Sequence, residues 1–273
     1  MSSKYLFLIL FFIIFSFLIK MPKNSMIKIM CIGDSITFGK GMPGSYRKFL
    51  YNNLVKKGYK IKMVGANSNI VDKYHNENTS ETFKYQDSNC GYSGYTIKAF
   101  GDRKGLLEIL QKNKCLKLNP DIIILLIGTN NAMEKYDFNM TIKDFISLIE
   151  FILNKINKET IIFVSTIPDM NPNIEKVYHW FDNYRMDNID DNEMKSDINN
   201  YIKEFNNKIK EITEGYRSKN YNITIVDLNP LMKDIDNLLF DGVHPNDKGY
   251  KIMGDFYAGI IEEYLNNKFN KKL

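Results

Sequence analysis

The stretch "DIIILLI", residues 121–127, decides the fold class of this chain of 273 residues. After its first Asp every residue is apolar, and apolar and polar residues do not alternate. A strand of this kind has both faces buried, which is typical of the parallel sheets of α/β proteins. Polar side chains follow the strand at once, among them Thr129 and Asn130.

Other apolar runs predict four more strands, and amphipathic segments between them predict helices. The strands are expected at 27–32, 60–65, 161–166 and 223–227, and the helices at 45–57, 101–114, 141–157, 196–215 and 246–267. This alternation indicates an α/β fold, a three-layer α/β/α sandwich with a central, mainly five-stranded parallel sheet. Ligands of such folds bind beyond the carboxyl ends of the strands. Two long polar segments, 66–92 and 169–195, interrupt the alternation, and loops of this length are usually functional lids or walls.

The overall composition is that of a globular protein with a sizeable core. Apolar residues make up 44% of the chain and charged residues 25%, as is usual for soluble domains. The net charge of +5 comes from lysines interleaved with Asn, Asp and Glu. This pattern indicates a solvated surface and argues against a nucleic-acid partner.

The N-terminus differs from the rest of the chain. Between Lys4 and Lys20 lie fifteen residues of which only Ser16 is clearly polar. The run is shorter than the roughly twenty residues of a membrane span and suits a signal peptide, although no clean cleavage site follows it. We therefore predict a signal peptide or N-terminal membrane anchor over 1–24 and a folded domain over 25–273. The protein is expected to be secreted or extracellular, tethered to the membrane if the segment is not cleaved.

The stretch "CIGDSITFGKGM", residues 31–42, runs from a predicted strand into a Gly-rich turn. Such a turn is either a phosphate-binding loop or a turn that positions a nucleophilic serine. A phosphate-binding loop has four residues between its glycines and a Ser or Thr after its lysine. Here five residues separate Gly33 from Gly39, and Gly41 follows Lys40. The spacing therefore favours Ser35 as a nucleophile, which then needs a base and oxyanion donors.

The base is sought among three histidines. His75 and His179 lie in the long polar segments, whereas His244 follows Asp241 by three residues in "DGVHP". An Asp at that spacing is able to hold the imidazole Nδ1–H and leave Nε2 facing outward, as serine hydrolases require. The alternative is an ordinary turn before the last helix, with Asn246 as its N-cap.

Oxyanion donors are expected at two places. Asn130 ends the third predicted strand, where its amide is able to point into a site. The segment "NCGYSGYTI" offers Gly91 and Gly94, since glycine lets a backbone N–H approach a ligand closely.

Four segments together resemble the blocks of the SGNH (GDSL-type) hydrolases, in the same order. They are "IGDSITFG", "GYSGYTI", "IGTNN" and "DGVHP". The finer pattern is similar to acetylxylan esterases of carbohydrate esterase family three. This resemblance implies a flavodoxin-like SGNH hydrolase fold with Ser35 as nucleophile, His244 as base and Asp241 as its orienting group. It also implies an oxyanion hole of the Ser35 N–H, Gly94 and Asn130, Gly94 being chosen because the family's glycine lies five residues after an Asn.

The resemblance implies a serine esterase that removes acetyl groups from a carbohydrate such as acetylated xylan. Neither a metal nor another cofactor is implied, since the three histidines are scattered. Tyr95 and Trp180 are the aromatic candidates for contact with an acetylated polysaccharide or oligosaccharide. Tyr178, Phe181 and Tyr184 lie near Trp180 in the segment 169–195 and are expected to form a sugar site with it. Asn89, Asn131 and Tyr95 depart from the usual family residues, which leaves the substrate open.

Two alternatives to this function remain, and the oligomeric state is not predicted. The first is a lipid or thioester acyl hydrolase, similar to a lysophospholipase, on the same scaffold. The second is a non-catalytic carbohydrate-binding or adhesion module. Among the three cysteines, Cys31 is expected to be a small buried residue, whereas the pairing of Cys90 with Cys115 is undecided.

Overall fold

The structure is a computed structural model that describes residues 25–68, 81–172, 179–185 and 190–270. The predicted signal peptide or anchor over 1–24 and His75 lie outside the described residues. Within the described residues, no helix combines the length and the apolar character needed to cross a membrane.

The centre of the protein is a parallel sheet. Its strands are β1 (Ile27–Gly33), β2 (Ile61–Met63), β3 (Cys90–Gly91), β4 (Ile122–Leu126), β5 (Ile161–Ser165) and β6 (Ile223–Val226). Five of them lie in the order β2-β1-β4-β5-β6, and the two-residue β3 also pairs with β1. All five residues of β4 are buried, as the absence of alternation in the sequence predicts.

The register of the strands fixes what surrounds the end of β1. Gly33, the last residue of β1, lies opposite Leu126 of β4 on one side and opposite Gly91 of β3 on the other. The chain goes from β1 to β2 in one direction and then crosses back to β4 on the other side of β1. A crevice for ligands forms where the strand order reverses in this way. The carboxyl end of β1 therefore lies at the centre of the candidate site.

Helices cover both faces of the sheet. They are α1 (Ser35–Phe38), α2 (Ser45–Lys56), α3 (Glu81–Lys84), α4 (Leu106–Asn113), α5 (Thr129–Met133), α6 (Phe138–Leu153), α7 (Asp182–Arg185), α8 (Asp191–Arg217), α9 (Ile235–Leu238) and α10 (Asp247–Asn270), with 3₁₀ turns at Cys115–Leu118 and Asn229–Met232. Helix α2 packs along α10, whereas α6 contacts both α4 and α8, and α8 contacts β6. Parallel crossovers are right-handed. The chain moves across the sheet in one direction from β1 to β2 and in the opposite direction from β4 through β5 to β6. The pair α2 and α10 therefore lies on one face of the sheet, and the group α4, α6 and α8 lies on the other. The predicted three-layer α/β/α sandwich is confirmed.

Some element boundaries differ from the prediction for local reasons. The helix expected at 101–114 begins only at Leu106, because Thr96 and Phe100 instead pair through the backbone with residues of 103–105. The helix expected at 196–215 begins earlier, at Asp191, because the Asp190 carboxylate accepts hydrogen bonds from the first N–H groups. Strand β3 lies inside the segment 66–92, where only a loop was predicted.

Candidate active site

Ser35 is the first residue of α1, directly beyond the end of β1. The Asp34 carboxylate caps this short helix by accepting the Ile36 N–H at 3.0 Å. Gly33 leaves no space for a side chain, since a Cβ there would lie 2.1 Å from the Leu126 carbonyl oxygen. This close approach of β1 and β4 sets the position at which Ser35 leaves the sheet.

Ser35, His244 and Asp241 form one chain of hydrogen bonds. The Ser35 Oγ lies 2.8 Å from His244 Nε2, and His244 Nδ1 lies 2.8 Å from Asp241 Oδ2. The other carboxylate oxygen of Asp241 accepts the backbone N–H groups of Val243 and His244, at 3.0 and 2.8 Å. One carboxylate oxygen of Asp241 thus stabilises the turn, while the other orients the imidazole ring of His244. The Asn246 side chain also accepts the Gly249 N–H in the first turn of α10, so the triad and the helix cap coexist in this segment.

The carboxyl group of Asp241 remains ionised because of its neighbours. Burial by itself raises the pKa of Asp241. The hydrogen bond and positive charge of His244, together with the two backbone N–H donors, outweigh burial, and the pKa is lowered from its ordinary value. An ionised Asp241 favours the protonated, cationic state of His244 that forms when His244 accepts a proton.

Asp34 behaves in the opposite way. Burial raises the pKa of Asp34 to about 6, although the Ile36 N–H and the charge of His244 act to lower it. Its hydrogen bond to Ile36 gives it a structural position beside the turn. Two carboxyl groups thus lie near His244, and their environments move their pKa values apart.

Three N–H donors lie around Ser35. The Asn130 amide donates one N–H to the Tyr95 carbonyl oxygen at 2.8 Å, which orients the group and leaves its second N–H available. Neither the Ser35 N–H nor the Gly94 N–H makes a hydrogen bond to a described residue. The Gly91 N–H, in contrast, donates to Asn89 Oδ1 at 2.9 Å. Of the two glycines considered from the sequence, Gly94 is therefore the one with a free donor.

The backbone of Gly94 requires glycine. Its φ of 79° lies in the left-handed region, which residues with a Cβ rarely adopt. A Cβ at this position would lie 3.4 Å from the Arg103 guanidinium, so conformation restricts this position more than space does.

A small pocket of about 220 Å³, which we call the catalytic pocket, opens at Ser35. Its walls include Gly94, Asn130, Met133, Trp180 and His244. Ser35, Asn130, Asp241 and His244 are themselves buried. Electrostatic interactions are stronger in such a water-poor setting than in bulk solvent.

Trp180, in the segment 169–195, lines this pocket. The Trp180 ring meets the His244 ring edge-on, with centroids 5.7 Å apart and planes at 89°. The Lys40 ammonium lies 4.4 Å from the centroid of the same Trp180 ring. Trp180 thus lines the catalytic pocket, and its contact with a sugar stays a prediction.

Two other aromatic residues of this segment have a different position from the one expected. Phe181 and Tyr184 are fully buried, and the Tyr184 hydroxyl donates to the Ala132 carbonyl oxygen at 2.8 Å. They anchor the segment to α5 and do not face the pocket, which corrects the expectation that they would line a sugar site beside Trp180. Tyr178, the other aromatic candidate, lies outside the described residues.

Arg47 holds the end of the nucleophile helix. Its guanidinium is fully buried and donates to the carbonyl oxygens of Thr37 at 2.9 Å and Phe38 at 3.1 Å. It also forms an ion pair with Asp87 and donates to the Asp87 carbonyl oxygen. Arg47 therefore joins the C-terminus of α1 to the segment that leads into β3 and Gly94.

Two cationic residues of the catalytic pocket were not among the sequence candidates. Lys40 and Arg103 both line it, and Arg103 forms an ion pair with Glu134, its Nε 2.7 Å from the carboxylate. The sequence signal for Lys40 was its place in the Gly-rich turn. No local signal marks Arg103, because its position depends on the pairing of residues 96–105.

Tyr95 lies at the boundary of the site. Its backbone carbonyl orients Asn130, and its side chain lines a larger cavity beside the catalytic pocket. Cys31, Cys90 and Cys115 are all buried and free, so Cys31 has the predicted buried position. In the part of the chain that the structure describes, no three His, Cys, Asp or Glu side chains are grouped so as to hold a metal ion.

Comparison with known families and proteins gives consistent matches. The family model for GDSL-like lipases and acylhydrolases matches residues 29–256. A multidomain esterase of Ruminococcus flavefaciens is 33% identical over 246 residues, which is 88% of this chain and 29% of that protein. An acetylxylan esterase of Xylanibacter ruminicola is 25% identical over 261 residues, 88% of this chain and 44% of that protein. The chain thus spans less than half the length of either relative.

The fold also has a close match among solved structures. A family 3 carbohydrate esterase of Clostridium thermocellum superposes with a TM-score of 0.59 and 23% identity. The match covers 90% of this chain and 98% of that structure. At this identity, the likeness concerns the fold alone.

Proposed function

This chain belongs to the GDSL-like lipase/acylhydrolase family, and on that premise we propose that it is a serine esterase that removes acetyl groups from carbohydrate. The observation that carries the proposal is the continuous hydrogen-bonded chain from Ser35 through His244 to Asp241, with both links at 2.8 Å. This geometry suits a nucleophile, a base and a group that orients the base.

The first step of the proposed reaction is attack by Ser35. The Oγ attacks the ester carbonyl carbon while His244 Nε2 accepts its proton, and Asp241 stabilises the imidazolium that results. The hydrogen bond between Oγ and Nε2 supports this transfer.

The oxyanion that forms in this step needs hydrogen-bond donors. The free N–H groups of Ser35 and Gly94 and the second amide N–H of Asn130 fill this role in the proposal. Their directions are fixed before substrate arrives, by α1, by the left-handed backbone of Gly94 and by the Tyr95 carbonyl. Donors of this kind stabilise the developing charge without reorganisation during the reaction.

The intermediate then collapses to an acyl-enzyme. The C–O bond of the ester breaks, His244 gives its proton to the leaving alcohol, and the acetyl group remains on Ser35. Water, deprotonated by His244, attacks this acyl group, and the second collapse releases acetate and restores the Ser35 hydroxyl.

Two features support a short acyl group and a carbohydrate alcohol. The catalytic pocket has only about 220 Å³, and Trp180 and Met133 are among the residues that line it, which suits acetyl. The names of the two relatives are "multidomain esterase" and "acetylxylan esterase". We infer acetylated xylan or its oligosaccharides as the substrate class.

We further propose that the protein acts outside the cytoplasm, exported through the apolar segment between Lys4 and Lys20. A polymeric substrate does not cross a membrane, which supports this placement. Fractionation of cells that express the full chain tests it, and enzyme confined to the cytoplasm would contradict it.

A panel of ester substrates tests the proposed function. The full chain should hydrolyse p-nitrophenyl acetate and release acetate from acetylated xylo-oligosaccharides. Ser35→Ala should abolish both activities, whereas Ser147→Ala, an exposed serine on α6, should leave both unchanged.

Acyl-chain length separates the two enzyme classes considered from the sequence. Faster turnover of p-nitrophenyl octanoate than of the acetate, with no release from acetylated sugars, would indicate a lipid or thioester acyl hydrolase. Absence of any Ser35-dependent turnover would indicate a binding module.

A further inference from the structure

A second and larger cavity adjoins the catalytic pocket. It has a volume of about 880 Å³, within the range of roughly 300–1,000 Å³ that is usual for small-molecule sites. Lys40 and Ser93 line both spaces, so the two are adjacent. An acetyl group does not need this volume, so the cavity has room for another part of the substrate.

Aromatic side chains form much of the wall of this cavity. Phe240 lines it and is 44% exposed. Tyr92 and Tyr95 form a tilted pair with centroids 5.1 Å apart. Gly41 lies against the Phe240 ring, where a Cβ would come within 2.6 Å of it. The Gly41 backbone thus lies directly against the Phe240 ring.

The position of Phe240 relative to His244 indicates which part of the ester, the acyl group or the alcohol, lies beside the cavity. Phe240 is stacked on the His244 ring, with centroids 5.8 Å apart and planes at 27°. Trp180 meets the same ring edge-on from the catalytic pocket. His244 therefore lies between the two spaces. Because the base must give its proton to the departing oxygen, the alcohol part of the ester leaves past His244.

The chemistry of the wall favours a neutral, hydroxylated ring. Besides the aromatic faces, the wall contains the polar side chains of Asn67, Ser68 and Ser93. Two charged residues line it and both have partners: Asp241 is hydrogen-bonded to His244, and the Lys40 ammonium lies 4.4 Å from the Trp180 ring centroid. Apolar faces with a few polar groups suit a sugar ring, whose C–H face packs on an aromatic ring while its hydroxyls bond to side chains.

We propose that this cavity is the sugar subsite, with Phe240 as the platform for the sugar that carries the acetyl ester. The acetyl group enters the catalytic pocket, and the sugar chain extends through the larger cavity along Tyr92 and Tyr95. This inference rests on the proposed function, since it locates the alcohol part of that substrate.

The test compares two acetyl esters with different alcohols. Acetylated xylotriose fills the cavity, whereas the alcohol of ethyl acetate is too small to reach Phe240. We expect Phe240→Ala to lower kcat/KM for acetylated xylotriose, relative to kcat/KM for ethyl acetate, roughly tenfold. Tyr221→Ala is the matched control, because Tyr221 is 47% exposed and precedes β6 at the opposite end of the sheet. It should leave this ratio at the wild-type value.

A second measurement avoids dependence on the folding of a variant. Xylotriose without acetyl groups should inhibit hydrolysis of ethyl acetate by the wild-type protein competitively, since it occupies the subsite beside His244. Non-competitive or undetectable inhibition, or an unchanged substrate ratio in Phe240→Ala, would overturn the assignment of the cavity. Loss of p-nitrophenyl octanoate turnover in Phe240→Ala without loss on xylotriose would assign the cavity to an acyl chain and also overturn it.

These outcomes are distinct from failure of the proposed function. If the wild-type protein hydrolyses simple acetate esters through Ser35 but releases no acetate from sugars, the carbohydrate substrate itself is wrong. If it acts on acetylated xylotriose and Phe240→Ala leaves the ratio unchanged, only the placement of the sugar is wrong.

Discussion

Substitution of Asp34 by Asn should make the protein's stability less dependent on pH. Burial raises the pKa of Asp34 from 3.8 to about 6, so the folded protein binds this proton more tightly than the unfolded chain does. The free energy of unfolding therefore falls as the pH rises from the lower value through the upper one. Each pKa unit corresponds to about 1.36 kcal/mol, which gives a loss of about 3 kcal/mol across this window. The amide of the substituted side chain keeps an oxygen for the Ile36 N–H and has no charge to gain.

The assay is urea unfolding of both proteins at a series of pH values between about 3 and 8, followed by circular dichroism. The free energy of unfolding of wild type minus that of Asp34→Asn should become about 3 kcal/mol more negative over this range. Asp190→Asn is the matched control, since Asp190 also caps a helix but is exposed. Its profile should run parallel to that of wild type. A parallel profile for Asp34→Asn as well would refute the reasoning, because it would mean that burial of Asp34 does not disfavour its charge.

Three further substitutions test the proposed catalytic groups. Asn130→Ala should lower kcat roughly 10²–10³-fold with an unchanged melting temperature, and a loss below about threefold would remove Asn130 from the oxyanion site. His244→Ala should abolish activity almost as fully as Ser35→Ala does, since such groups act as a unit. Trp180→Ala should lower kcat/KM for p-nitrophenyl acetate roughly three- to tenfold through loss of the edge contact with His244. An unchanged kcat/KM in this variant would show that the contact does not contribute to turnover.

Much of the architecture was predictable because its signals are local. The run in β4 has no polar residue, so its burial on both faces follows from the sequence. Ser35 and Asn130 were located because each follows a strand, and parallel strands bring such residues to one edge of the sheet. Strand β3 has only two residues, too few for any periodicity to mark it.

The features that were not predicted depend on contacts between distant parts of the chain. Phe240 stands next to Asp241 in the sequence, yet nothing local distinguishes a ring that faces a cavity from one that enters the core. Phe181 and Tyr184 illustrate the converse, because the aromatic segment that contains them indicated a sugar site and the structure buries both. Arg103 reaches the catalytic pocket only through the backbone pairing of residues 96–105.

The distance along the chain between Ser35 and His244 has a consequence for synthesis. The two residues are 209 positions apart, and α2, which follows the nucleophile, packs along α10, which follows the base. Because a ribosome makes the nucleophile first and the base 209 residues later, a nascent chain has no proton acceptor for Ser35 until His244 has emerged. Contacts of such long sequence separation form slowly. Esterase turnover thus reports complete folding of this chain, and a C-terminal truncation before residue 244 yields a protein with a serine and no means to activate it.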